Sequence, residues 1–237
     1  MPKKSKVPLM RKSHLPIILL GAAMAIYGLA GALVGSWYSS QAMRGIITAG
    51  EYRSRLTGFE QAAGVVSGLV LFVLFILGAV HSAGLVRAAF VTGSLAAVSP
   101  LLVGRAENLL FNVIGLPTMN AGSVLAGAVT TILFALPMTI LFILIASSGR
   151  VPRSCRWLSL LGILVVLTTS FYPIYVTLLA FLVRPGDPAV GRMMEVSTTL
   201  IKLRFILPGL IFLLMAWLST RFEHRQAPLT QAANPTI

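Results

Sequence analysis

A chain of 237 residues that is 57% hydrophobic and only 11% charged, with a mean hydropathy of +0.89, lies outside the range of soluble globular domains. A net charge of +13 would point a soluble protein toward nucleic acid, but here the N-terminal run KKSKVPLMRK suits anionic lipid headgroups, and no nucleic-acid partner is expected. The composition predicts an all-α, polytopic integral membrane protein.

About 20 apolar residues cross roughly 30 Å of hydrocarbon. Windows of that length predict six transmembrane helices: Pro16–Tyr38, Glu60–Val80, Leu85–Val103, Ala121–Ala146, Trp157–Val183 and Leu203–Ser219. The chain then divides into a basic cytoplasmic tail (1–15), a six-helix transmembrane domain (16–221) and a polar, disordered cytoplasmic tail (222–237). The first span is too long for the apolar stretch of a cleaved leader and reads as an uncleaved signal anchor. With both termini inside, the cytoplasmic side holds the N-terminal basic run, Arg87, Arg150, Arg153, Arg156, Arg221 and Arg225, the larger share of the Lys and Arg. Trp37, Trp157 and Trp217 all fall at span ends, where the amphipathic indole prefers the interface. A bacterial inner membrane is the expected location.

Within the first span, Gly21, Ala25, Gly28, Ala32 and Gly35 recur at alternating steps of four and three, one continuous face of small residues. Lipid supplies little drive for helices to associate, so close backbone approach through such faces does the work, either within the chain or with a partner subunit or second copy. The second span is predicted to begin at the capping box TGFE, Thr57 to Glu60, in which side chains satisfy backbone amides at a helix start. Gly64 and Gly68 follow as a GxxxG pair.

Between the third and fourth spans, VGRAENLLFNVIGLPTMN carries Arg105, Asn108 and Asn112 on one helical face, with Glu107 pointing away. An amphipathic segment flat on the outer leaflet explains this pattern, as does a segment folded back to line an outward vestibule near Lys202. The lone Cys155 lies in the inner loop SGRVPRSCRW, so no intramolecular disulfide exists; it reads as a free thiol, with juxtamembrane palmitoylation as the alternative.

The last three spans each contain a proline, Pro137, Pro173 and Pro208, which removes a backbone hydrogen bond and frees a carbonyl. In TTSFYPIY, Thr168, Tyr172 and Tyr175 share a narrow wedge and predict a polar cavity or a hydrogen-bonded seam. The outer loop before the sixth span starts a helix at Asp187–Pro188, along which Glu195, Thr198, Thr199 and Lys202 share a face. Such a face is also what a solvated interfacial helix carries.

Several function classes lack their residues. Asp187 is the single aspartate, which leaves too few carboxylates for intramembrane aspartyl proteolysis or magnesium-dependent transfer; His14, His81 and His224 sit at or beyond span ends, and neither HExxH nor CxxC occurs. No metal, cofactor or enzymatic activity is therefore expected, and no acidic residue is expected in the middle of any span. What is left is a membrane-embedded transport component, permease-like or substrate-capturing, for a polar solute and energised by a partner. Its path candidates are Arg105, Asn108, Asn112, Thr168, Tyr172, Tyr175, Glu195 and Lys202. The alternative is a non-transporting subunit that assembles a membrane complex through the small-residue face of the first span.

Overall fold

The computed structural model describes residues 14–102, 119–149, 151–182 and 188–232. Those residues form helices α1 (Leu15–Met43), α2 (Ala49–His81), α3 (Leu85–Ser94), α4 (Val98–Leu102), α5 (Met119–Ser147), α6 (Arg153–Leu182) and α7 (Pro188–Ala232), with a 3-10 turn at Leu95–Ala97 between α3 and α4. Among the described residues there is no strand. Counting α3 to α4 as one interrupted rod, six helices are long and apolar enough to cross a membrane.

Helix α1 packs against α7 and α2, α2 against α3 and α4, α3 against α5, α5 against α6, and α6 against α7. Sequence neighbours are thus spatial neighbours, and the α1–α7 contact closes the ring. Its interior is filled by Phe75, Phe90, Phe134, Phe142 and Phe212 together with Met24, Met138 and Met215, all fully buried. The outside is equally apolar, with Leu33, Ile26, Val66 and Leu164 largely exposed. Since hydrophobicity does not separate inside from outside, fit between surfaces decides which faces meet.

That fit depends on glycine. A Cβ on Gly21 would stand 2.7 Å from the Gly209 carbonyl oxygen, and one on Gly209 would stand 2.8 Å from the Ala25 nitrogen, so α1 and α7 touch backbone to backbone. The GxxxG pair has the same use at another seam, because a Cβ on Gly64 would run into the Pro100 carbonyl oxygen and one on Gly68 would meet the Leu101 side chain at 2.6 Å.

Two predicted boundaries are corrected. Helix α2 begins eleven residues before Glu60, at Ala49. Its capping box is Thr48–Glu51, in which the Glu51 amide donates to Thr48 Oγ1 at 3.2 Å and the Thr48 amide donates to Glu51 Oε2 at 2.8 Å. TGFE lies inside the helix, and Glu60 is an intrahelical residue. Helix α7 runs unbroken for 45 residues, so the outer-loop helix and the sixth span are one rod and Arg204 lies within it. Its last turns, to Ala232, cover the start of the segment read from sequence as a polar tail. The third span, in contrast, is broken. Pro100 has no N–H to donate to the Ala96 carbonyl, and the 3-10 turn tightens the chain just before it.

At the end opposite the α1–α2 hairpin, Arg87 Nε donates to the carbonyls of Ala79 at 3.2 Å and Ser82 at 3.1 Å, capping the C-terminus of α2. Gly64→Ala and Gly21→Ala should each lower stability by roughly 1–3 kcal/mol through overpacking against backbone that has nowhere to move. Gly58→Ala, where an added Cβ meets nothing within 4 Å, should not. Thermal unfolding of the three variants in one detergent checks the order.

Candidate functional site

Three helical faces converge near the α1–α2 hairpin end. Helix α1 contributes Tyr27, Gly28, Gly31, Ala32, Gly35 and Ser39, α2 contributes Tyr52, Leu56, Phe59 and Glu60, and α7 contributes Ile201, Lys202, Arg204 and Phe205; together they line a cavity of about 380 Å³. The α2 residues follow the spacing of one helical face, and so do those of α1 from Gly28 onward. The volume falls in the range of small-ligand sites, roughly 300–1,000 Å³.

The small-residue stripe of α1 explains why space is left. Gly21, Ala25 and Gly28 are consumed by packing, since a Cβ on Gly28 would lie 2.6 Å from Ile206 Cγ1 and 3.0 Å from the Ile206 nitrogen. Further along the same face the neighbours withdraw. A Cβ on Gly31 would meet nothing within 4 Å, and one on Gly35 only Leu56 Cδ1 at 4.0 Å. Ala32 and Gly35 therefore form a cavity wall, with no side chain large enough to fill the gap.

The floor of the cavity is aromatic. Tyr27 meets Phe205 edge-on with centroids 4.9 Å apart, and Phe134, which does not line the cavity, lies 4.6 Å from Phe205 behind that floor. Tyr27 is close to the middle of α1, so this floor lies at mid-bundle. Beside it sits the Arg204 guanidinium, only 8% exposed. Its centre lies 5.2 Å from the Phe205 ring and 5.6 Å from the Phe134 ring, and one terminal nitrogen donates to Thr131 Oγ1 of α5 at 2.8 Å. Nε has no partner among the described residues. Pro208, one turn on, has no N–H to offer the Arg204 carbonyl, so the helix lacks its usual i to i+4 hydrogen bond at that level. A buried guanidinium with one neutral hydrogen bond is under-compensated, because removing a cation from water costs several kcal/mol.

Glu60 faces the same space from α2 and is half-buried. Tyr27 lies within electrostatic reach of both Glu60 and Arg204, and its hydroxyl meets Ser67. Nearer the hairpin, Ser36, Ser39, Ser40, Met43, Arg44 and Lys202 line a second cavity of about 390 Å³ that shares Ser39 and Lys202 with the first. Polar surface thus continues from the mid-bundle floor to the last turn of α1.

Of the residues singled out from sequence, Lys202 lines both cavities and Glu195 is exposed on α7, its carbonyl accepting from Thr199 Oγ1 at 3.1 Å. Arg105, Asn108 and Asn112 lie outside the described residues. The α6 wedge is not brought to the cavity: Thr168 and Tyr175 are exposed and Tyr172 is half-buried, on the outside of the ring. The buried stripe of α6 is the adjacent one, Val166, Thr169, Ser170, Pro173 and Val176, and Thr169 Oγ1 turns back to the Val165 carbonyl at 2.8 Å. Sequence reasoning missed Tyr27, Glu60 and Arg204. The available signal was TAGE at Thr48 to Glu51, a second capping box that starts α2 early enough to carry Glu60 inside.

Cys155 is a free thiol, but its placement is a further correction, because it belongs to the first turn of α6 and is fully buried instead of lying in the inner loop. Its Sγ lies 3.7 Å from the Met215 carbonyl and 3.5 Å from Ser219 Oγ, both on α7.

Fold and site together define an all-helical ring of six apolar rods with a charged cavity at mid-bundle. Comparison with known protein families, curated proteins and solved structures returns no match, so the reading of the site stands on geometry alone.

Two outcomes follow from burial. Thr131→Val should lower stability by roughly 1.5–3 kcal/mol, the range for a hydrogen bond to a charged group, and Arg204→Met in the same chain should restore part of that loss; reversible unfolding of both reads it. Cys155 should stay unlabelled by maleimide in the folded protein even in opened membranes, and react fully after denaturation in dodecyl sulfate.

Proposed function

We propose that this chain is an integral protein of a bacterial inner membrane, with both termini in the cytoplasm and the α1–α2 hairpin outside, and that it serves as a transport component. On this reading it is a permease-like or substrate-capturing subunit for a polar solute, energised by a partner protein, while its basic N-terminus rests on anionic headgroups. The distribution of Lys and Arg supports the orientation. One observation carries the function: a buried, under-compensated arginine at mid-bundle that lines a cavity of small-ligand size. Ionisable groups inside a membrane-spanning bundle are expensive and are retained where they bind or move something.

The assembly-subunit alternative rested on the small face of α1 being free for a partner. Gly21, Ala25 and Gly28 are taken up by α7, and Gly31, Ala32 and Gly35 border the cavity, which favours the solute-binding reading. Lys202 at the mouth would raise the local concentration of anionic groups, an effect that salt weakens.

The native host, deleted for the gene and complemented, provides the test because it supplies the partner. Uptake of isotope-labelled amino acids, carboxylic acids and sugars should fall for at least one compound on deletion. Arg204→Gln, at equal protein level, should reproduce that loss by tenfold or more. Unchanged uptake of every compound on deletion, with the membrane complex lost instead, would favour the assembly role.

A further inference from the structure

The cavity around Arg204 carries opposite charges on two walls. Arg204 stands on α7 and Glu60 on α2, the helices that flank α1 on either side, and both line the same space. Among the described residues no ion pair joins them: the guanidinium donates to Thr131 and lies over the two phenyl rings, and Glu60 lies on the opposite wall. Tyr27, which lines the same cavity, is in electrostatic reach of both. Between the charges the lining is apolar, with Leu56 and Phe59 from α2 and Ile201 and Phe205 from α7.

Resting on the solute-binding reading above, we propose that the ligand is a small zwitterion with an apolar body, its anionic group seated on Arg204 and its ammonium group against Glu60. A simple anion would satisfy the guanidinium but bring like charge toward a half-buried carboxylate. A simple cation would satisfy Glu60 and be repelled from Arg204. Only a molecule carrying both signs compensates each wall, and each charge-assisted hydrogen bond formed there is stronger than a neutral one. Lys202 is exposed and keeps its own solvation, so it steers without demanding a second anionic group. The aromatic floor of Tyr27 and Phe205 sets the depth, so the ligand lies along α1 between the floor and Ser39. The same chemistry occurs in a free amino acid and in the headgroup of phosphatidylethanolamine.

The test uses the full chain purified in mild detergent and calorimetric titration with leucine and phenylalanine, each beside its methyl ester and its N-acetyl derivative. The free amino acids should bind, and each blocked form should bind at least tenfold more weakly. Glu60→Gln should bring the free and N-acetyl forms within about threefold of one another, an effect that a general folding defect would not produce. Native mass spectrometry distinguishes the lipid source: a retained phosphatidylethanolamine that is lost in Glu60→Gln and in Arg204→Gln would assign the same chemistry to a headgroup. N-acetyl forms binding as tightly as free amino acids would overturn the zwitterion in favour of a plain anion. Absence of both amino-acid binding and a Glu60-dependent lipid would overturn it outright, while leaving the host uptake assay to decide transport independently. Binding without flux in the host would sink the transport role and leave the ligand class standing.

Discussion

The backbone contact between α1 and α7 is the constraint on which the rest of the molecule depends. Where Gly21 faces Gly209, the two helices approach until carbonyl and amide groups touch, and that contact closes the ring of helices. It also fixes the height of α7 against α1. Seven residues past Gly21, Gly28 receives Ile206, which puts Phe205 edge-on to Tyr27 and Arg204 beside them. A bulkier residue at either glycine would lever the helices apart and disperse the aromatic floor of the cavity. Packing and site are therefore one arrangement: the tight half of the small-residue stripe sets the register, and the loose half leaves the space.

Arg204 makes sense only in that setting. An arginine in the wall of an apolar bundle pays for burial through its hydrogen bond to Thr131 and its two aromatic neighbours, and these compensate only part of its charge. If structural stability were the whole explanation, a methionine in the same volume would serve as well, as replacements of buried ion pairs show elsewhere. The guanidinium adds a directional donor set on a residue that lines the cavity, and its Nε has no partner among the described residues. Those donors are groups that a ligand can use.

Much of the fold was legible in the sequence, because apolar run length is a direct consequence of hydrocarbon thickness. The ranges of α1, α5 and α6 follow the predicted spans closely, and the GxxxG of Gly64 and Gly68 marked a real close approach. The site was legible only in part. A hydropathy window rejects AGEYRSRLTGFE and MMEVSTTLIKLRF as too polar to span, yet both continue as helix, since side-chain polarity does not interrupt backbone hydrogen bonding. Glu60 and Arg204 were thereby placed at the outer ends of the predicted second and sixth spans, not inside the bundle. The hydroxyl wedge of Thr168, Tyr172 and Tyr175 lies away from the cavity for a different reason: three hydroxyls on one face establish that a stripe exists, and the direction it points is decided by the neighbours of α6. Small residues carried more information than polar ones, since a glycine stripe has a use only where something approaches or where something is left out.

The transport reading makes a mechanical demand on this architecture. Below Tyr27, Phe205 and Phe134, the interior is packed by Met24, Met138, Phe142, Phe212 and Met215 without exposed polar side chains, so the cavity ends at the aromatic floor. A solute could cross only if Phe205 moved, and Phe205 is carried by the segment of α7 between Arg204 and Pro208. That segment lacks the helical hydrogen bond from residue 208 to residue 204, which lowers the resistance to bending there. On its other flank, Gly209 is clamped against Gly21. Bending would then pivot at Pro208 and swing the hairpin-proximal half of α7, including Lys202 and Arg204, at the cost of the Gly28–Ile206 contact, while the half held at Gly209 stayed with α1. A ligand bridging Arg204 and Glu60 would tie that swinging half to α2, and its binding energy would act on the one place in the ring where a helix is weakened beside the cavity.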